Sequence, residues 1–395
     1  ISTSSIALQN AIVTDYIPEL SRILMLHGII RTPLTAVIRK GKEHFICEKR
    51  FHRYYDNADK RTQALLAPYV GSCAPFDLAG ADTLTPHMKR GVCVSGGKCA
   101  DSCSHARRCR YFEHLKEIND PTVDFQITNH NYFIADTLHR ASGRKPLLPH
   151  YQMVIIDEAH KFLVTARSMY GLELTEAELP TLAQEIHAFT SDKSLGGVNV
   201  HRLAKKLEEQ SAKLFQRLNA NIPAVDENAD AERFPAIFDN ETTRHLKSIA
   251  GIAADIVEAC SDSYVQPSHK DRKNKTLWRL GMAAERVSAL RAQGNLVCWL
   301  EKRMEGETAT DALCAIPKDL DARLHRDLWG QGIPVILTSG TLSASGDFTR
   351  TKETLGISHM AERLLSDTSM PSPFDHKNNA LLYISNSVPF PDQQD

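Results

Sequence analysis

The stretch Met153-Val154-Ile155-Ile156-Asp157-Glu158-Ala159-His160-Lys161-Phe162 decides how the rest of the chain is read. Its apolar residues run without interruption into two adjacent acids. A continuous apolar run of this kind predicts a strand buried on both faces, as in a parallel sheet covered by helices. Ligands bind at the carboxyl ends of such strands. Phosphoryl transfer to water needs one carboxylate to hold Mg²⁺ through its water shell and a second group to orient the attacking water. Asp157 and Glu158 at a strand end meet both needs. The same four letters alone would fit a surface turn; the apolar run before them and Lys161-Phe162 after them favour the chemical reading.

A second strand end repeats the pattern. Ile333-Pro334-Val335-Ile336-Leu337 leads into Thr338-Ser339-Gly340-Thr341-Leu342-Ser343, where small hydroxyl side chains and one glycine let a phosphate come close. A helix carrying Leu320, Leu324 and Leu328 precedes it. Further strands are expected at residues 34–38 and 125–128. Residues 6–26 place Leu8, Ile12, Leu20, Ile23 and Leu24 on one helical face, with Gly28 as a stop. Residues 167–320 are expected to be mainly helical, with one helix marked by Val200, Leu203, Leu207, Leu214 and Leu218 and another by Ile249, Ala253, Ile256 and Cys260.

A length of 395 residues fits two or three domains, and a hydrophobic fraction of 42% is ordinary for a globular chain. No uncharged apolar run is long enough to span a membrane; residues 12–30 are broken by Asp15, Glu19 and Arg22. With no signal-peptide pattern, the expectation is a cytoplasmic protein without membrane contact. A net charge of −1 does not imply a wholesale polyanion binder. Positive charge is local instead: Arg39/Lys40/Lys42, Lys49/Arg50/Arg53, Arg107/Arg108/Arg110, and residues 269–275, the last read as a solvated face. Phosphate contacts need cations placed along a groove, not a high total.

Of nine cysteines, six fall between Cys47 and Cys109, while Cys260, Cys298 and Cys314 sit singly among apolar residues and read as core. In a cytoplasmic chain this argues for metal or buried thiols rather than disulfides. Cys99, Cys103 and Cys109 have three and five residues between them, with Cys47 well upstream. Zinc sites usually pair ligands two to four residues apart. The wider spacing suits a four-iron cubane, with zinc the competing metal and Cys93 competing with Cys99 for a place. Residues 47–116 lose both helical and strand periods, and are expected to bury no core of their own.

At this point the chain resembles DinG and XPD, the superfamily-2 DNA helicases with an iron–sulfur cluster, and more closely the bacterial DinG branch. Thr3, Ser5, Leu8 and Gln9 match the family's Thr-x-Thr-x-x-Leu-Gln motif, with Ser replacing the second Thr. Cys47 matches the first cluster ligand, and Cys109-Arg110-Tyr111-Phe112 resembles the Cys-Pro-Phe-Phe that ends the cluster segment, with Arg for Pro. Thr128-Asn129-His130, the Asp-Glu-Ala-His box and the Thr-Ser-Gly-Thr-Leu-Ser motif follow in family order. The resemblance implies an α/β fold, a RecA-like parallel sheet of the P-loop NTPase helicase type, interrupted by an iron–sulfur cluster domain and a helical Arch domain. Its motor parts would be residues 1–46, 116–166 and 321–365. The cluster domain would be residues 47–115, the Arch residues 167–320, and a connection to a second motor domain would begin at residues 366–395.

By the same resemblance Asp157 holds Mg²⁺ and Glu158 activates water, making ATP and Mg²⁺ the cofactors. His160, Ser339 and Thr341 couple nucleotide state to DNA, and Thr3, Gln9, Asn129 and His130 face the tracked strand or its neighbours. Cys47, Cys99, Cys103 and Cys109 bind a 4Fe–4S cluster. The partners would be single-stranded DNA and duplex junctions, with 5′ to 3′ movement in DNA repair, and a monomer is the simplest expectation. Two motifs are missing. No Gly-x-x-x-x-Gly-Lys-Ser/Thr occurs, since Gly96-Gly97-Lys98 continues into Cys99, and there is no Gln-x-x-Gly-Arg. Both ends therefore read as cuts, and this chain alone is expected to turn over no ATP. The rivals are a non-catalytic metal-dependent DNA-binding or redox-sensing module, which has no use for a Mg²⁺ carboxylate, and an RNA helicase, which the cysteines disfavour.

Overall fold

The computed structural model describes residues 1–70, 78–94, 103, 105, 109–190, 198–220, 222, 231–261, 267–292, 294–305, 308–371, 375–379 and 381. Among them the strands are β1 Ser2–Thr3, β2 Ala36–Ile38, β3 Phe125–Asn129, β4 Val154–Asp157, β5 Leu172–Thr175, β6 Ala231–Pro235, β7 Leu296–Glu305, β8 Thr308–Pro317 and β9 Val335–Thr338. Five of these make one sheet, in the order β2-β3-β1-β4-β9, and every pair in it is parallel. The apolar run of β4 behaves as its sequence requires, with Val154 and Ile156 buried against Phe133, Ile134 and Phe162. The register sets the ends of β1, β4 and β9 side by side: Ser2 pairs with Ile156, and Asp157 with Thr338.

Helices α1 Ile6–Ala11 and α2 Ile17–Leu26 cover the expected helix, joined through a π-helical turn at Ile12–Tyr16. Pro18, at the start of α2, has no N–H for the regular ladder, which loosens the turn before it. Between the adjacent strands β2 and β3 lie α3 Glu48–Asp56, α4 Lys60–Leu66, α5 Pro86–Val92 and α6 Arg110–Ile118. Here one expectation is corrected. Phe51, Leu66, Leu78, Ala81, Leu84, Val92 and Cys93 bury a small core of their own. Helices of two turns carry too few residues for a period to rise above the glycine, proline and cysteine around them.

Arg39, at the end of β2, staples this segment to the sheet. It is 4% exposed, and its guanidinium donates to Gln126 Oε1, Leu147 O and Ile118 O, the last at the end of α6. No carboxylate is among these partners, so the cation is held by carbonyl-type dipoles from three segments.

Helices α7 His130–Ala141 and α8 Phe162–Tyr170 pack on the parallel sheet with α13 Leu320–Asp327 and α14 Thr349–Leu355, burying Phe133, Ile134, Phe162, Leu324 and Trp329. The helices between, α9 Glu178–His187, α10 Val200–Asn219, α11 Asn240–Ser261 and α12 Pro267–Ala292, include both expected long helices. They do not stand alone. β5, β8, β7 and β6 form a four-stranded antiparallel sheet, which the mainly helical expectation missed. Leu300 and Leu313 of that sheet are fully buried against Leu207, Phe215, Ile249 and Ile256 of the helices. No helix among the described residues is long and apolar enough to cross a membrane.

Candidate active site

β4 delivers Asp157 to the edge of the parallel sheet, and the next residue breaks the strand. Glu158 has φ 51° and ψ 44°, a left-handed conformation that costs about 1 kcal/mol or more for a residue with a side chain. The turn leads into the 3₁₀ segment Ala159–Lys161 and then α8. It carries the side chains of Glu158 and His160 to the end of β9. His160 Nδ1 lies 2.7 Å from Ser339 Oγ and 3.1 Å from Glu158 Oε2, with Ser339 Oγ 3.5 Å from the same carboxylate oxygen. The Thr341 N–H donates to Ser339 Oγ at 3.3 Å. A single Nδ1 carries one proton at most; when it donates to Glu158, the Ser339 hydroxyl remains able to donate to that carboxylate as well.

On the other flank, Thr3 Oγ1 donates to Asp157 Oδ2 at 3.1 Å. Ser2 Oγ meets His130 Nδ1 at 2.7 Å. His130 is buried, and burial lowers its pKa below the usual imidazole range; the nearby Glu158 backbone and Asp157 carboxylate oppose this only in part. Its ring stands edge-on to Phe162. Ser4 Oγ, Gln9 Nε2 and His130 Nε2 are buried without a hydrogen-bond partner among the described residues. Buried polar atoms are normally paired, so orphans in this neighbourhood mark places for a ligand or an ordered water. The side chains of Glu158 and His160 stay 41% and 36% exposed, which leaves the edge open to a ligand.

Asp157, Glu158, His160, Ser339 and Thr341 are thus joined along adjacent strand ends, with Thr3 bonded to Asp157. His130 joins them through Ser2, while Gln9 is buried on α1. Asn129 caps α7, its Oδ1 accepting from the Tyr132 N–H at 2.7 Å. Ser2 and Ser4 were not singled out from sequence. Their only signal was the hydroxyl run Ser2-Thr3-Ser4-Ser5 around a matched threonine.

The cysteines form a second, looser grouping. Cys47 and Cys109 are the N-cap residues of α3 and α6, and Cys47, Cys103 and Cys109 are free, half-buried thiols. Two contacts draw their segments together: Phe45 packs on Tyr111 and His114 with centroids 5.5 and 4.8 Å apart, and His105 Nδ1 meets Glu48 Oε2 at 3.0 Å. Cys99 lies outside the described residues. Cys93 sits beside this region through the Ile46–Cys93 bridge, but it is buried in the small core, where burial pushes its thiol pKa up. Among the described residues no group of three or more His, Cys, Asp or Glu is gathered closely enough to hold a metal ion.

No family model matches the chain. It is 24% identical over 401 residues to the ATP-dependent DNA helicase YoaA of Escherichia coli, covering 98% of this chain and 59% of that protein. It is 24% identical over 425 residues to the 3'-5' exonuclease DinG of Bacillus subtilis, covering 95% and 44%, and 23% identical over 420 residues to the ATP-dependent helicase DinG of Mycobacterium tuberculosis, covering 99% and 59%. The chain therefore spans about three-fifths or less of the length of these relatives. A solved structure of S. tokodaii Xpd4 aligns with 58% of this chain and 42% of that one, at 16% identity and a TM-score of 0.32. Over nearly its whole length the chain is similar to proteins named DinG and YoaA.

Proposed function

We propose that this chain is the core of an ATP-dependent DNA helicase of the iron–sulfur, DinG-like type. One observation carries the reading: Asp157 and Glu158 sit at a parallel strand end, bonded on one side to Thr3 and on the other to the His160–Ser339 pair. Asp157 is suited to holding Mg²⁺ through water, and Glu158 to orienting the attacking water. Bound Mg²⁺ would supply charge neutralisation at the phosphates. The shared hydrogen bonds of Glu158, His160 and Ser339 tie the acid to the next strand, so a change at one is felt at the other. Ser2, Thr3, Gln9 and His130 form the neighbouring layer, through which the site would meet the DNA strand.

Cys47, Cys103 and Cys109, with Cys99, would hold a 4Fe–4S cluster in residues 47–115. Free thiols on segments already tied by Phe45–Tyr111 and His105–Glu48 fit that donor set. Residues 167–320 take the place of the Arch and residues 366–395 that of a connection to a second motor domain. Movement 5′ to 3′ on single-stranded DNA, action at duplex junctions in repair, and a cytoplasmic monomer complete the reading. Residues 1–395 contain no phosphate loop, so this chain alone is expected to hydrolyse no ATP.

The test uses the longest protein that contains these residues, purified anaerobically. DNA-stimulated ATP hydrolysis, unwinding of a 5′-tailed duplex and about four irons per chain are expected. DNA binding without any turnover would favour the non-catalytic module, and stoichiometric zinc without iron or labile sulfide would remove the cluster.

A further inference from the structure

The cavity enclosed by α3, α4 and the end of α5 is not part of the strand-end site. Its volume is about 510 Å³, and its walls carry Arg50, Arg53, Tyr54, Asn57, Asp59 and Thr62. We propose that it binds one nucleotide of a single-stranded nucleic acid, with the phosphate on Arg50 and Arg53 and the base on the ring of Tyr54.

Three features support this. First, the two arginines have no carboxylate partner among the described residues. Arg50 is anchored by donating one terminal N–H to the Arg90 carbonyl at 2.7 Å, while its buried Nε has no partner among the described residues. A guanidinium fixed at one corner and unsatisfied elsewhere is preorganised for an oxyanion. Second, the one acid in the wall stays a charged carboxylate but pairs with neither arginine, because its oxygens are taken up at the start of α4. Asp59 caps α4, its Oδ1 accepting from the Arg61 and Thr62 N–H groups and its Oδ2 from the Thr62 hydroxyl, each at 2.9 Å. Third, Tyr54 is held in place by a missing side chain. A Cβ at Gly91 would come 2.5 Å from the Tyr54 ring, so the ring lies directly against the backbone of α5. A cation pair beside a fixed aromatic face is the combination that grips unpaired bases and their backbone without reading sequence.

The inference rests on the nucleic-acid reading above, and its test separates the two. Binding of a labelled oligo-dT strand to this chain is measured against salt, with free thymidine monophosphate and inorganic phosphate as competitors. Arg53 is exposed, so Arg53→Ala leaves the fold intact. It should weaken strand binding by roughly tenfold and lower the salt slope by about one. Tyr54→Ala should cost roughly fivefold or more and Tyr54→Phe almost nothing, because stacking needs the ring and not the hydroxyl. Gly91→Ala should behave like Tyr54→Ala. If the strand binds and Arg53→Ala and Tyr54→Ala bind it as well as the unaltered chain, the cavity is not the site and the DNA reading survives. Failure of the unaltered chain to bind the strand overturns both. Binding of the monophosphate alone, without the strand, makes this a free-nucleotide pocket and overturns the proposal.

Discussion

The parallel and the antiparallel sheet of this chain are built to different standards. The parallel sheet has strands of two to five residues, and its edge strand β9 leaves Ile336 48% exposed. The antiparallel sheet has two strands of ten residues paired along their length, backed by four helices in a core that includes the fully buried Leu207, Phe215, Leu300 and Leu313. The candidate catalytic side chains Asp157, Glu158 and His160 lie at or just beyond a strand end of the first sheet and none on the second. Just beyond the strand ends of the parallel sheet lie the strained Glu158 and, on β1's continuation, α1 and α7, the orphaned atoms of Ser4, Gln9 and His130. Reactive ends are thus kept on a sheet that gives up regularity, while helices α9–α12 and strands β5–β8, inserted in sequence between the paired strands β4 and β9, pack around a core of their own. That division makes separable predictions for stability and for chemistry.

The largest stability effect should fall in the insertion. Phe215→Ala empties a fully buried position and should cost about 3–5 kcal/mol in urea unfolding. A cost under 1 kcal/mol would mean that the insertion is loosely packed, and the contrast between the sheets would fail.

Next comes the joint between the cluster segment and the parallel sheet. His114 is buried, and burial together with Arg39 and Lys40 pushes its pKa down to about 4. The folded protein therefore keeps His114 neutral while the unfolded chain protonates it near pH 6.5. Stability is intact above pH 6.5 and is lost as pH falls toward 4, by up to about 3 kcal/mol. His114→Gln, which keeps an acceptor for the Lys40 N–H, should flatten that dependence. Equal acid loss in the variant would place the sensitivity elsewhere.

A smaller effect is expected on the antiparallel sheet. Burial pushes the Glu301 carboxyl up, but hydrogen bonds from Trp299, Arg303 and Arg233 outweigh it and bring the pKa down to about 2. Its stabilisation is present above the usual carboxylate range and lost as pH falls toward 2. Because Arg233 is largely exposed, Glu301→Ala should cost about 2 kcal/mol at pH 7. The smallest effect has the opposite sign. Glu158→Gly relieves the left-handed strain and should stabilise the chain by about 1 kcal/mol, readable as a raised melting temperature.

What the sequence allowed to be read follows the same line. β4 and β9 were legible because continuous apolar residues end abruptly in polar ones. β1 was not, since Ser2-Thr3 carries no apolar residue and is a strand only because β3 and β4 pair with it. In β7 the run Glu301-Lys302-Arg303 hides a strand whose charged side chains are partnered across the sheet, Glu301 with Arg233 and Arg303 with Glu173. The two polar strand ends were legible one at a time. That His160 reaches Ser339 follows from the Asp157–Thr338 register, which no local pattern encodes. Of the proposed cluster ligands, Cys99 falls outside the described residues, so the set of four stands on spacing and on the tethers around the other three.

Whether the polar strand ends are a phosphoryl-transfer site or structural decoration is decided by Glu158→Gln in the longest protein containing this chain, assayed for DNA-stimulated ATP hydrolysis. Turnover should fall by at least about 100-fold, with nucleotide binding retained and the unfolding midpoint unchanged. Turnover at the unaltered rate in a normally folded variant would contradict the phosphoryl-transfer reading.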